Sequence, residues 1–247
     1  MMRISLFLTA MACGLTSDAL AASQVIVHYP HTAAAAVVKD AERLLQLTTS
    51  PALAQRSWWP GTVIAEPLAS AAAQQHYRQT LARLRGWAAS EQGDRAAAVN
   101  AVIQQLSKVR VTGRQFTVLD PDWIRLHPEA NRRLEGEYHL YTLRRPDTVT
   151  LMGAISNDGK TSWRPGGDTR DYLQGHTRLS GAEMNQAIVI APDGATQTVP
   201  VAYWNHRHVE VMPGSTIFIG FSRPALPDEL RDLNSQIVTI LTQRVPD

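Results

Sequence analysis

The sequence predicts an α+β protein, because units of strand, short helix and strand occur in both halves of the chain. In the C-terminal half, apolar strands begin at Val149 and Ala187, and a last strand runs over residues 216–221. The turns Asn157-Asp158-Gly159 and Pro192-Asp193-Gly194 have the residue types that tolerate a positive φ. The spacing therefore predicts several strands linked by tight turns in this half.

The N-terminal half repeats the pattern more faintly. Leu44-Leu45-Gln46-Leu47 precedes an apolar strand at 63–64, as Tyr172-Leu173-Gln174 precedes the strand at 188–190. This order resembles a β-grasp unit of the soluble ligand-binding type (SLBB), a module found in polysaccharide-export proteins. We therefore predict two tandem β-grasp-like domains, joined near Arg145-Pro146.

Two helical features complete the predicted architecture. Residues 67–108 show helical spacing on either side of the breaker at 90–94, which indicates an αα-hairpin inserted into the first domain. From Pro227 to Arg244, aliphatic side chains fall on one helical face and polar side chains on the other. The predicted segments are a leader at 1–21, a first domain at 22–146, a second domain at 147–223 and a C-terminal amphipathic helix at 224–247.

The apolar face of that helix has two interpretations. It includes Leu230, Leu233, Ile237 and Leu241. Packing against its own domain is expected in the isolated protein, which we expect to be a monomer. The alternative is that this face docks to a partner or to the outer membrane during assembly.

The N-terminus predicts export to the periplasm. Arg3, an apolar run at 4–15 and the small residues Ala19 and Ala21 are typical of a secretory signal peptide cleaved after Ala21. The only cysteine, Cys13, lies in this leader, so the cleaved chain would have no thiol or disulfide; a lipoprotein that begins at Cys13 is the alternative. The formal net charge of +2 does not indicate a basic surface for binding nucleic acid.

The segment 205–210 contains alternating polar side chains that could bind a ligand or partner. His206, His208 and Glu210 would share one face of a strand, and a face of imidazoles and a carboxylate is the donor set of zinc or iron sites. A solvent-exposed face explains the same alternation, so we predict no bound metal and no cofactor. Asn205 and Arg207 belong to the same candidate surface.

A second group of candidates lies at 114–122. Arg114, Asp120 and Asp122 combine a carboxylate-binding fork with two acids, the residue types that glycoside chemistry requires. Asp-Pro-Asp is also a turn former whose side chains cap the local backbone, and we expect that role. Trp58 and Trp59 are candidates for stacking on sugar rings, although such a pair more often divides between a core and a domain junction.

Irregular phrases are spread over the whole chain after the leader. They are SWWPG at 57–61, VTGR at 111–114, LDPDWIRL at 119–126, GEYHLYTLRRP at 136–146, PVAYWNHRHVE at 200–210 and LNSQIVTILTQRVPD at 233–247. Together they closely resemble the GfcC family of periplasmic proteins tied to capsule and exopolysaccharide production. The resemblance implies two β-grasp domains, an inserted hairpin, a C-terminal amphipathic helix and an arrangement similar to the domains of the outer-membrane polysaccharide exporter Wza.

The resemblance brings no enzyme activity with it. The functional expectation is a non-enzymatic periplasmic accessory factor that works with a polysaccharide or its export machinery. Two alternatives remain: a polysaccharide-binding module, and a polysaccharide-modifying enzyme that uses Arg114, Asp120 and Asp122. Motifs for a serine elbow, a phosphate loop or a zinc protease are absent from the sequence.

Overall fold

The computed structural model describes residues 23–54 and 57–246. The predicted leader at 1–21 lies outside the described residues. The strands are β1 (Gln24–His28), β2 (Ala35–Lys39), β3 (Val63–Ala65), β4 (Glu137–Tyr141), β5 (Thr148–Gly153), β6 (Gly159–Ser162), β7 (Gln186–Ile190), β8 (Thr196–Pro200) and β9 (Thr216–Ile219). The helices are α1 (Leu44–Thr48), α2 (Pro67–Ser90), α3 (Gly93–Leu106), α4 (Pro121–Leu126), α5 (Thr169–Tyr172) and α6 (Leu233–Thr242). These elements confirm the α+β class.

The first sheet has four strands in the order β2-β1-β4-β3. Its two central strands, β1 and β4, run parallel, and both edge strands are antiparallel to their neighbours. Side chains alternate between the two faces of a strand. Val25 and Val27 of β1 and Leu140 of β4 therefore point into one core, which also includes Leu44 of α1 and Ile124 of α4. The two short helices therefore pack against the first sheet.

The second sheet has five strands in the order β6-β5-β9-β7-β8. Strands β5 and β9 are parallel and central, and every residue of β9 is buried. A central strand that is covered on both faces has a continuous apolar sequence, and the Ile217-Phe218-Ile219 of β9 has that character. The second sheet is consequently covered by a packed layer on each side.

The helical hairpin supplies one of these layers. Helices α2 and α3 lie within the sequence of the predicted first domain, but Leu84, Trp87 and Val102 share one core with the second sheet. Gln105 fixes the contact: its Oε1 accepts a hydrogen bond from the Gly153 backbone N–H at 2.6 Å, and its Nε2 donates to the Gly153 carbonyl at 3.0 Å. The hairpin thus joins the two halves of the chain through the core of the second sheet.

The C-terminal helix is shorter than the sequence predicted. A separate 3-10 turn occupies Asp228–Leu230, and α6 begins only at Leu233. At the other end, Thr112 donates its N–H to the Gln243 carbonyl and Val245 donates to Arg110, both at 2.8–2.9 Å. The backbone groups of Gln243 and Val245 are therefore paired with another segment instead of continuing the helix. The prediction of one helix over 227–244 was therefore wrong at both ends.

The apolar face of the C-terminal segment packs inside the protein. Leu233, Ile237 and Leu241 are fully buried and Leu230 is 8% exposed, in the core shared by the hairpin and the second sheet. These four side chains therefore present no surface to a partner in this arrangement. Within residues 23–54 and 57–246, none of the helices combines the length and hydropathy needed to cross a bilayer.

Candidate functional site

A groove of about 590 Å³ lies between the segment that leads into α4 and the turn joining β7 to β8. We call it the aromatic groove, and its lining includes Trp59, Phe116, Val118, Trp123, Met212, Arg114, Asp120, Asp193 and Gly194. Residues 59–62 and 114–123 form one wall, and the β7–β8 turn together with Met212 forms the other. Its size falls within the range of clefts that bind small molecules or short polymer segments.

Large apolar side chains are exposed along this groove. The segment 115–119 has no helix or strand assignment, and its side chains alternate, so that Leu119 is buried while Phe116 and Val118 are 61% and 44% exposed. Trp123 and Met212 add further exposed apolar surface. A cluster of exposed apolar side chains in a concave site is a feature of binding surfaces, whereas isolated ones are ordinary.

Trp123 is held in place by a neighbouring ring. Its indole stacks on the His127 imidazole, with ring centroids 4.0 Å apart and an interplanar angle of 14°. The two residues are four apart around α4, so the helix itself aligns them. The indole thus forms a fixed platform while more than a third of its surface remains exposed.

Arg114 lines the groove and links separate segments of the chain through hydrogen bonds. Its Nη2 donates to the Pro192 carbonyl at 2.8 Å and its Nη1 to the Thr242 carbonyl at 3.4 Å, so it connects the first sheet to the β7–β8 turn and to α6. Burial, together with the nearby Arg244, lowers the pKa of Arg114 to about 10. The guanidinium is still charged at neutral pH, but two of its donors serve the protein's own backbone.

The two acids predicted as a pair have different roles. Asp120 lines the groove and caps α4, because its Oδ1 accepts the Asp122 N–H at 2.9 Å. Asp122 instead pairs with Arg125 at 2.5 Å and its side chain is 84% exposed. The second carboxylate lining the groove is Asp193, which sequence analysis had placed only in a turn; its Oδ1 accepts the Ala195 N–H at 2.9 Å.

Comparison with known proteins assigns the chain to a family. A family model described as "Capsule biosynthesis GfcC, N-terminal" matches residues 21–145, and one described as "Capsule biosynthesis GfcC C-terminal" matches residues 157–246. The chain belongs to the GfcC family. A relative described as "Uncharacterized protein YjbG", from Escherichia coli strain K12, is 45% identical over 230 residues, which cover 93% of this chain and 94% of that protein.

The tryptophan pair of this GfcC-family chain divides between two environments. Trp58 donates its backbone N–H to the Leu143 carbonyl at 2.7 Å, and its ring covers Gly61, where any side chain would collide with it. Trp59 packs against the core of the first sheet and lines the aromatic groove. The structure therefore brings Trp59, Arg114 and Asp120 together and places Trp58 elsewhere.

The candidates at 205–210 do not form the predicted strand face. Residues 205–209 are irregular, so the alternation of a strand does not apply to them. His206 hydrogen-bonds Asp168, whereas His208 lies 3.8 Å from Glu210 in a separate exposed pair. In the described part of the chain, no three His, Cys, Asp or Glu side chains converge as metal ligands would.

Asp168 is a buried acid that sequence analysis missed. Its Oδ1 accepts the Val209 N–H at 3.1 Å, and its Oδ2 contacts His206. Burial tends to raise the pKa of Asp168, but the Val209 N–H and the imidazole lower it more, so the pKa lies below its usual value. The carboxylate holds the irregular segment 206–209 against the second domain.

We expect Asp168→Asn to weaken the fold at neutral pH and to reduce the acid dependence of stability. The folded-state pKa lies below the unfolded value of about 3.9, so the stabilisation is complete above that value and is lost as the pH falls through the folded pKa. Loss of the charged acceptor should cost about 1–3 kcal/mol near neutrality. Urea unfolding at several pH values measures this.

Asp228→Asn is the matched control, because the Asp228 side chain is 83% exposed and pairs with Arg231 only three residues away. Its effect should stay within about 1 kcal/mol at every pH. Equal pH profiles for the Asp168 and Asp228 variants would contradict the assignment.

Proposed function

We propose that this chain is a non-enzymatic accessory factor of capsule or exopolysaccharide assembly that acts in the periplasm. The observation that carries the proposal is the match of both halves of the chain to capsule biosynthesis families. The predicted signal peptide supports the periplasmic location. The position of Asp122 weakens the enzyme alternative built on Asp120 and Asp122, because Asp122 pairs with Arg125 and does not line the groove.

We propose further that each sheet is a β-grasp unit of the soluble ligand-binding type. In both sheets the first and last strands of the unit form a central parallel pair, and a second strand flanks the first. A short helix, α1 or α5, follows the second strand in each case. This common order supports tandem copies of one fold, and the inserted hairpin distinguishes the first copy from the second.

The aromatic groove supports a more specific role, the binding of a polysaccharide segment. Flat rings such as Trp123 and Trp59 can cover the apolar C–H faces of sugar rings. Asp120 and Asp193 each use one carboxylate oxygen for the local backbone, which leaves the other to accept sugar hydroxyl groups. A glycan in the groove would contact segments from both halves of the chain at once.

The proposed function predicts a defect in surface polysaccharide when the gene is deleted. Extractable capsule or exopolysaccharide from the bacterium that encodes this chain should fall and should be restored by the wild-type gene. A normal amount and chain length of polymer after deletion would refute the role. Shortening or chemical modification of purified polymer by the purified protein would instead support the enzyme alternative.

The groove makes a separate prediction for binding. The double variant Phe116→Ala/Trp123→Ala should bind oligosaccharides prepared from the same polymer roughly 10–100-fold more weakly, because each stacked ring contributes about 1 kcal/mol or more. Calorimetry of the full chain measures the change. Unaltered affinity would exclude the groove as the glycan site.

Trp163→Ala is an unsuitable control, since its Nε1 donates to the Val211 carbonyl at 2.7 Å and its loss would disturb the fold. Leu68→Ala is suitable, because Leu68 is 85% exposed and does not line the groove. We expect this control to bind the oligosaccharides like the wild type.

A further inference from the structure

The turn at 202–205 presents two aromatic side chains to solvent. Tyr203 is 89% exposed and Trp204 is 76% exposed, which makes them the most exposed Phe, Tyr or Trp side chains among the described residues. Met184 is also exposed, next in sequence to Asn185, whose carbonyl accepts hydrogen bonds from this turn. Adjacent exposed aromatic residues at the tip of a turn require an explanation other than core packing.

The backbone of this turn is well fixed although its rings are not covered. Asn205 donates its N–H to the Ala202 carbonyl at 3.3 Å, and its Oδ1 accepts the Ala202 N–H at 3.0 Å. Its Nδ2 also donates to the Asn185 carbonyl at 3.2 Å, which ties the turn to the start of β7. The rings are therefore held outward by a closed hydrogen-bonded turn, and binding would order little additional backbone.

One exposed cation follows the turn in the chain, beside two carboxylates that the neighbouring histidines contact. The sequence contains no Asp or Glu between Asp193 and Glu210. His206 and His208 face the carboxylates of Asp168 and Glu210, whereas the exposed Arg207 guanidinium has no partner among the described residues. Arg207, three residues after Trp204, is thus the exposed cation of this segment.

The size and composition of this surface distinguish between its potential occupants. Two aromatic side chains bury roughly 300–500 Å² in total, which is less than the ~800 Å² that each partner contributes to a stable protein interface. Trp and Tyr are the residues that are enriched at the head-group level of bilayers, and arginine is attracted to anionic lipids. A lipid surface therefore fits this turn better than a folded protein does.

We propose that the Tyr203–Trp204 turn is a shallow anchor that inserts into the head-group region of a bilayer containing anionic phospholipid. Arg207 would contact the phosphate groups while the two rings enter the interface. Sequence analysis offered membrane contact only as the alternative role of the C-terminal helix, and the apolar face of that helix is buried in the core. The proposed anchor is reversible, because two rings and one cation supply limited binding energy.

Sedimentation of the full chain with lipid vesicles tests the proposal. Wild-type protein should bind vesicles made of equal parts phosphatidylglycerol and phosphatidylcholine. Tyr203→Ser/Trp204→Ser should weaken this binding by about 100-fold or more, since each buried ring is worth over 1.4 kcal/mol, which is ten-fold in affinity. Arg207→Gln should lower it about five-fold on the anionic vesicles and leave binding to pure phosphatidylcholine unchanged.

Leu68→Ser is the matched control, because it removes another exposed apolar side chain that belongs neither to the turn nor to the lining of the aromatic groove. It should bind vesicles like the wild type, and the turn variants should melt at the wild-type temperature because their side chains are exposed. No binding by the wild type, or equal binding by the double turn variant, overturns the proposal. Loss of oligosaccharide binding rather than vesicle binding in the double variant would also overturn it and assign the turn to a glycan.

Discussion

Ile237→Asp should lower the free energy of unfolding by several kcal/mol, the largest effect that we expect from a single side chain of α6. Ile237 is fully buried in the core that α6 shares with the hairpin and the second sheet. The substitution removes an aliphatic side chain and buries a carboxylate for which that apolar core offers no partner. For a chain of this length, a loss of about 4 kcal/mol corresponds to a melting temperature roughly 10 °C lower.

Thermal unfolding followed by circular dichroism measures this effect, and Thr239→Asp is its control. Thr239 lies on the exposed side of the same helix and donates its hydroxyl only to the Ser235 carbonyl at 3.0 Å. The same charge at this position should change stability by less than about 1 kcal/mol. If Ile237→Asp melts like the wild type but abolishes polysaccharide production, the helix serves a partner and its docked position is wrong.

Gly153→Ala should produce a comparable loss, for a reason that concerns the backbone. Gly153 ends β5 with a φ of +105°, and a Cβ at this position would collide with the Ile219 carbonyl of the adjacent strand β9. The backbone N–H and carbonyl of the same residue each form a hydrogen bond with the Gln105 side chain of the hairpin. Any shift that relieves the collision therefore also disturbs the contact between α3 and the second sheet.

Gly136→Ala separates the collision from the backbone conformation. Gly136 has a similar φ of +83°, but a Cβ there would meet no heavy atom within 4 Å. Its substitution should cost about 1 kcal/mol through the positive φ alone, whereas Gly153→Ala should cost about 3 kcal/mol or more. Chemical denaturation of both variants provides the comparison. Equal losses would show that the close approach of β5 to β9 makes no separate contribution.

The candidate site shows which parts of a binding surface are visible in a sequence. Arg114, Trp59 and Asp120 were identified by residue type, and all three line the aromatic groove. Phe116, Val118 and Met212 were missed, because apolar residues in an extended segment are normally assigned to a core. Only the structure shows that Phe116 and Val118 are exposed while Leu119 is buried.

The His206, His208 and Glu210 pattern illustrates the opposite error. A period of two is informative only within a strand, and the structure has an irregular segment at 205–209 instead. Asp168, some 38 residues earlier in the chain, binds His206 and removes it from the presumed cluster. Long-range partners of this kind cannot be inferred from spacing.

The sequence by itself determined the α+β class, the family, the helical character of the hairpin and the apolar face of α6. These properties depend on local periodicity, turn residues and specific sequence phrases, all of which involve residues close together in the sequence. Tertiary structure alone decided that the hairpin packs on the second sheet, that α6 is occupied by the protein's own core, and that Asp193 rather than Asp122 joins Asp120 in the groove. The reason is physical: periodicity specifies which face of an element is apolar, but the partner of that face is selected by packing among segments distant in sequence.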